Sequence, residues 1–85
     1  MTFENALDAI ATEFSKAKDK HPSCPSAHHA MSVIREEYLE LEREVFTDGI
    51  DHNEVVRTRA RKEAIQLAAT CIRMLEVLGT TREGR

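Results

Sequence analysis

The segment from Ala64 to Leu78 constrains the fold of this chain more than any other part of the sequence. It contains neither Gly nor Pro, and most of its positions are apolar: Ala64, Ile65, Leu67, Ala68, Ala69, Cys71, Ile72, Met74, Leu75, Val77 and Leu78. In a helix these residues cover most of the circumference, which a helix with one face in water does not tolerate. The sequence therefore predicts a long helix that is covered on two sides, by the rest of this chain and by a second copy.

Two amphipathic segments precede this one. Over residues 3–18 and again over 27–46, apolar side chains recur every three or four positions, which is typical of helices. Thr2 and Ser26 are suitable N-cap residues for these two helices. Two prolines lie between the segments and predict a loop there, because proline moves the residue before it out of the helical region.

The third helix is expected to begin after a turn. Gly49 is placed to take the left-handed conformation that ends a helix or makes a tight turn. Asp51 and Glu54 read as a capping box, so the helix should run from about 52 to 78. The predicted fold is all-α. It is a three-helix chain of two long antiparallel helices plus an N-terminal helix, assembling into an oligomeric helical bundle.

Composition narrows the class of partner. The chain has 85 residues, which predicts one domain, and a net charge of −3 without a large basic field, so no nucleic-acid partner is expected. No apolar run is long enough for a membrane span, and residues 1–11 lack an export signal, which favours the cytoplasm. Cys24 and Cys71 form no close pair and are expected as free thiols. A domain this small favours self-association, as a homodimer or homotetramer.

Acidic residues gather on the second and third predicted helices. Glu37 and Glu40 lie beside the apolar stripe of one helix, and Glu63 follows 23 positions after Glu40 on the next. If the two helices are antiparallel, Glu63 and Gln66 should face the glutamates of the second helix. Carboxylate and carbonyl oxygens suit Mg²⁺ or Mn²⁺. The spacing also fits a second interpretation, in which the glutamates form a solvated face with salt bridges to Arg35 and Arg43.

The two acidic motifs resemble those of the MazG-like nucleoside triphosphate pyrophosphohydrolases, which have EExxE followed at a modest interval by ExxD. The similar stretches, about half the chain, are Ser26-Ala27-His28, Val33-Ile34-Arg35-Glu36-Glu37-Tyr38-Leu39-Glu40-Leu41 and Glu63-Ala64-Ile65-Gln66-Leu67-Ala68-Ala69. They are similar to small members of the group that phages and prophages often encode. Gln66 departs from the pattern, because it stands where the family has aspartate.

The resemblance implies a function and a set of site residues. Glu36, Glu37, Glu40 and Glu63 would hold Mg²⁺ or Mn²⁺, and Glu37, Glu40 and Glu63 would be catalytic in cleaving a ribo- or deoxyribonucleoside triphosphate to monophosphate and pyrophosphate. Gln66 can offer a carbonyl oxygen but no charge, so metal affinity and activity should fall. His28 matches a family position near the site.

Other side chains have two interpretations. Arg59 and Lys62 can meet the substrate phosphates or pair with the glutamates of the second helix. Tyr38 and Phe46 can stack on a nucleotide base, but their positions on or near the apolar stripe favour the core, and Cys71 is expected in the core for the same reason. The alternative to the hydrolase is a non-catalytic helical oligomer serving as a binding or assembly module, and Gln66 is the feature that favours it.

Overall fold

The computed structural model describes residues 1–79 and contains three helices in that range. Helix α1 spans Phe3–Lys20, α2 spans Ala27–Val45 and α3 spans Glu54–Gly79. No strand occurs in residues 1–79, so the prediction of an all-helical chain with three helices is confirmed. The helix ends lie one or two residues from the expected ones, at positions 20, 45, 54 and 79.

The first two helices begin as their N-cap residues predict. The Thr2 hydroxyl accepts a hydrogen bond from the Asn5 amide at 3.1 Å, and the Ser26 hydroxyl accepts one from the His29 amide at the same distance. Each bond satisfies a backbone donor that the first turn of a helix would otherwise leave without a partner. The two prolines lie at positions 22 and 25, outside both helices, so the N–H that each proline lacks removes no helical hydrogen bond.

The start of α3 differs from the expected capping box. Asn53 caps the helix instead, because its side-chain oxygen accepts from the Val55 and Val56 amides at 2.9 and 3.2 Å. The predicted positive backbone angle of Gly49 is confirmed, at φ 91°. A Cβ at Gly49 would approach the Cβ of Asn53 to 3.0 Å. The turn around Gly49 therefore includes Asp51, and the helix begins two residues later than expected.

Helix α3 is the central element, and both other helices pack on it. Contacts of Glu44 with Arg59 and of Glu37 with Thr70 show that α2 runs antiparallel to α3. Lys18 contacts Glu76 near the far end, so α1 runs parallel to α3. No Cα atom of α1 lies within 8 Å of one in α2 over the described residues. The two outer helices therefore flank α3 and leave a gap between them.

Small residues mediate the helix contacts. The buried apolar residues in the described range are Ala30, Val56, Ala60 and Ala69. Small side chains let the helices approach closely, but they remove little apolar surface from water. No large side chain among residues 1–79 is fully buried. The described core is therefore thin, and much apolar surface remains exposed.

The expectation that Tyr38, Phe46 and Cys71 belong to the core is wrong for this chain alone. Tyr38 is 51% exposed, Phe46 is 79% exposed, and Cys71 is also exposed. The reason is topological, because Tyr38 and Cys71 line a groove between α2 and α3 to which α1 contributes no residue. We call this surface the outer groove: Met31, Ile34, Arg35, Tyr38, Leu67 and Cys71. Within residues 1–79, no helix is long and apolar enough to cross a membrane.

Candidate functional site

The antiparallel pairing of α2 and α3 brings glutamates from both helices together. Glu37 and Glu40 on α2 face Glu63 on α3, and we call these three residues the carboxylate cluster. All three are partly buried, because their positions border the apolar contact between the helices. Two further glutamates lie at the edge of the cluster: Glu13 of α1 and Glu44 of α2.

Glu63 has the least favourable surroundings in the carboxylate cluster. Burial raises the pKa of its carboxyl group, the negative charges of Glu40 and Glu44 and a hydrogen bond with the Glu40 side chain raise it further, and Lys62 offsets part of the effect. Its Oε2 atom is buried and has no hydrogen-bond partner in the part of the chain that the structure describes. A buried acceptor without a partner costs free energy, and a charged one costs more. Glu63 would therefore gain from a cation at this position.

Glu37 is held more firmly than Glu63. Burial raises the pKa of its carboxyl group, and the charges of Glu40, Glu63 and Glu13 act in the same direction. The Thr70 hydroxyl donates a hydrogen bond to Glu37 Oε1, which lowers the pKa in part. The same hydroxyl lies 3.0 Å from the backbone oxygen of Gln66. Thr70 therefore fixes the orientation of Glu37 toward α3.

The donor chemistry of the carboxylate cluster suits a hard divalent cation. Its members supply oxygen atoms, and the half-buried Gln66 lies one turn from Glu63 on the same helix. As the side chains stand in residues 1–79, no three His, Cys, Asp or Glu residues converge closely enough to hold a metal ion. Glu36 is exposed and is not among the charges that shift its neighbours. The carboxylate cluster therefore suits a divalent cation in its ligand type and in the closeness of its members. To bind the ion, the carboxylate side chains would have to rotate toward one another.

The other sequence-predicted site residues lie around this cluster. The Arg59 side chain donates to Glu44 at 3.1 Å, so it extends toward α2 and borders the carboxylates. Lys62 lies beside Glu63 but lines a shallow depression between α1 and α3, together with Glu13. His28 is exposed at the start of α2, while its neighbour His29 lines a cleft on the inner side.

That cleft is a second feature of the site, and we call it the Arg73 cleft. It occupies about 230 Å³ between the end of α1, the start of α2 and the second half of α3. Arg73 is 8% exposed, and its guanidinium donates a hydrogen bond to the backbone oxygen of His21. Glu37 and Thr70 form the wall nearest the carboxylate cluster. The two features therefore meet at Glu37.

Sequence reasoning missed Glu13, Thr70 and Arg73 as site residues. Arg73 had a detectable signal, since it is the only basic residue between Ala64 and Leu78. A cation in an apolar helix is seldom buried unless something pairs with it. Thr70 lies two turns after Glu63, so helical spacing also places it on that face. Glu13 gave no such signal, because its position depends on how α1 packs.

Searches of protein-family models, of curated proteins and of solved structures found no match to this chain. The resemblance to the MazG-like enzymes therefore stays a prediction from the two acidic motifs of the sequence.

Proposed function

We propose that this chain is a MazG-like nucleoside triphosphate pyrophosphohydrolase that depends on Mg²⁺, with Mn²⁺ as the alternative ion. The carboxylate cluster is the observation that carries the proposal. Glu40 raises the pKa of both Glu37 and Glu63 across the α2–α3 contact, and Glu63 Oε2 is buried without a partner. Carboxylates this close repel each other unless a shared proton or a cation joins them, and the proposal assigns that role to a cation.

The reaction adds water across one phosphoanhydride bond. The water oxygen bonds to the α-phosphorus, the bond from that phosphorus to the bridging oxygen breaks, and pyrophosphate leaves the nucleoside monophosphate. A bound ion would lower the pKa values of the carboxylates that hold it, so the proton acceptor would be a carboxylate oxygen that the ion does not occupy. In this proposal Glu37 or Glu63 takes the proton of the attacking water, and solvent returns it to the products.

Glu37, Glu40 and Glu63 would hold the metal ion, with Glu36 at the edge and the Gln66 carbonyl as a neutral ligand. The ion supplies charge neutralisation for the phosphates and a more acidic water. The chain supplies the orientation, because Thr70 hydrogen-bonds Glu37 and α2–α3 packing holds Glu63 opposite.

The test is pyrophosphate release from a panel of ribo- and deoxyribonucleoside triphosphates with Mg²⁺ or Mn²⁺. We expect Glu37→Gln and Glu63→Gln to lower the rate by about 100-fold or more, because each removes a charged ligand. The matched control is Glu42→Gln, since Glu42 is exposed on α2 and its side chain accepts a hydrogen bond from the Tyr38 hydroxyl alone among residues 1–79. Equal losses in all three variants would contradict the assignment of the cluster.

The second candidate function is a non-catalytic helical oligomer that binds or assembles partners. Gln66 favours it, because a neutral amide cannot replace a charged metal ligand or act as a base. No pyrophosphate release from any triphosphate would support this candidate. The variant Gln66→Asp then distinguishes two cases. If the chain is an enzyme that lost its activity through Gln66, the restored charge should recover pyrophosphate release; if it never was an enzyme, Gln66→Asp should release none.

We also propose that a second copy of the chain covers the outer groove, giving a homodimer or homotetramer. Leu75 is 65% exposed, one turn beyond Cys71 on the same face of α3. Contiguous apolar surface of this kind marks interfaces. Light scattering should report an oligomer that Leu75→Glu dissociates. The control Val55→Glu, at a 63% exposed site near the start of α3, should leave the mass unchanged. A monomeric wild type would refute the proposal.

A further inference from the structure

The Arg73 cleft contains a buried cation without an anion. No carboxylate of residues 1–79 lies within 4.0 Å of the Arg73 guanidinium, although the side chain is only 8% exposed. Its one hydrogen bond in the described chain goes to the backbone oxygen of His21. A guanidinium has five N–H donors, so most of its donors are available. No Arg73 nitrogen is among the buried side-chain atoms without a partner in the described residues, so the remaining donors reach the water of the cleft, where an anion can replace that water.

The carboxylate in the same cleft does not supply the missing charge. Glu37 lines the cleft, but the causes that shift its pKa are burial, Thr70 and other glutamates, and Arg73 is not among them. Instead, the Thr70 hydroxyl donates a hydrogen bond to Glu37 Oε1. Glu37 is therefore directed toward α3 and the carboxylate cluster, and within residues 1–79 the guanidinium has no partner of opposite charge.

The start of α2 adds a second source of positive potential to the cleft. Ser26 caps this helix, and its first turn contains no acidic residue. His29 and Ala30, from that turn, line the cleft. The N-terminal end of a helix carries a partial positive charge that favours anions. The cleft therefore combines a buried guanidinium with a helix end that no carboxylate of its own neutralises.

We propose that the Arg73 cleft binds a phosphate group, with Arg73 as the residue that contacts it. The cleft measures about 230 Å³, far more than the ~10–15 Å³ that one water molecule needs, so a phosphate can enter. It adjoins the carboxylate cluster at Glu37. This inference rests on the proposed function for its ligand: the phosphate belongs to the triphosphate tail of the substrate or to the pyrophosphate product.

The competing explanation gives Arg73 a structural role only. Its bond to His21 fastens the end of α1 to α3, and a cation near the last carbonyls of a helix is stabilising without any ligand. That role requires one N–H group, and added phosphate would then leave the stability of the protein unchanged. The two explanations therefore differ in the response to an anion in the absence of metal.

The first experiment is thermal melting with millimolar inorganic pyrophosphate in EDTA, against potassium chloride of equal ionic strength. We expect pyrophosphate to raise the melting midpoint of the wild type by about 2–5 °C. Arg73→Gln should abolish the shift. The matched control is Arg57→Gln, because Arg57 also donates to a backbone oxygen, that of Ile50 at 3.2 Å, but is exposed. An unshifted wild type, or the same shift in Arg73→Gln, would overturn the proposal.

A measurement on the wild type protects the test if Arg73→Gln does not fold. The Arg73 Nε–H resonance in an NMR titration should move with pyrophosphate, whereas that of Arg57 should not. An Arg73 resonance that stays fixed at saturating pyrophosphate would overturn the proposal without any variant. Because EDTA removes metal and turnover, a positive result with no hydrolase activity would separate failure of the proposed function from failure of the cleft.

Steady-state kinetics of the active protein distinguish the two sources of phosphate. If the cleft holds the triphosphate tail, Arg73→Gln should raise KM by about 10- to 100-fold, the loss typical of a charge-assisted hydrogen bond. If it holds only the product, KM should stay constant while inhibition by pyrophosphate weakens by a similar factor. Neither change, in an active and folded variant, would overturn the proposal.

Discussion

The carboxylate cluster and the Arg73 cleft lie side by side and have opposite electrostatic defects. In the cluster, Glu37, Glu40 and Glu63 face one another, and one buried oxygen of Glu63 has no partner. In the cleft, the Arg73 guanidinium is buried beside the uncompensated start of α2. In the first region Lys62 and Arg59 offset the negative charge only in part, and in the second the guanidinium has no anion partner among residues 1–79. A folded chain could have cancelled the two internally, yet α2 and α3 keep them apart.

The separation explains how one ligand could satisfy both regions. Glu37 belongs to the wall of each, and Thr70 holds it in place. A divalent ion bound to phosphate carries positive charge at one end and negative charge at the other. Under the proposals above, such a complex would complete both regions at once, whereas a free metal ion or a free phosphate would complete only one.

The largest expected effect is therefore cooperative. Mn²⁺ and pyrophosphate together should stabilise the wild type by about 1–3 kcal/mol more than the sum of their separate effects, the usual size of a coupling between two sites. Thermal melting at matched ionic strength measures this. Arg73→Gln should retain the response to Mn²⁺ and lose the excess. Strictly additive shifts would mean that the two regions act independently.

A smaller effect is expected from removing one charge of the carboxylate cluster. In EDTA at neutral pH, Glu63→Gln should raise the free energy of unfolding by on the order of 0.5–1 kcal/mol, because it removes a partly buried charge that Glu40 opposes. Chemical denaturation measures the change. Glu42→Gln, on the exposed side of α2, should change stability by less than about 0.5 kcal/mol. A destabilised Glu63→Gln would show that Glu63 is already compensated.

The stability difference between Glu63→Gln and the wild type should also depend on pH. The folded state raises the pKa of Glu63 above its ordinary value of 4.5, so folding favours the protonated form. Its contribution to stability is fully present below that ordinary value and is lost as the pH rises through the folded-state pKa. The advantage of Glu63→Gln over the wild type should therefore grow as the pH rises from about 4.5.

Local signals in the sequence predicted much of the fold. Thr2 and Ser26 cap their helices, and Gly49 has the positive angle that the turn needs, because each depends only on neighbouring residues. The third N-cap was misassigned, since Asp51 and Asn53 are both good caps and the turn geometry decides between them. The antiparallel approach of Glu40 and Glu63 followed from the short connection between their helices.

The missed residues depend on packing rather than on local pattern. The sequence could not place Glu13 near Glu37, because helical periodicity does not say which side of α3 receives α1. The same uncertainty put Tyr38 in the core, when the groove it lines has no helix of this chain above it. Arg73 was visible as an isolated cation in the apolar segment, but its cleft forms only where all three helices and a loop meet.

The sequence separation of their contacts also predicts that the two regions form at different stages of folding. The pairs that close the α2–α3 hairpin are 15 and 33 residues apart, whereas the bond between Arg73 and His21 joins positions 52 apart. In the unfolded chain, loop-closure entropy makes the last contact cost about 1 kcal/mol more than the first. The α2–α3 hairpin with its glutamates can therefore form early. The Arg73 cleft is completed last, when α1 docks on α3, and it is the first part to open.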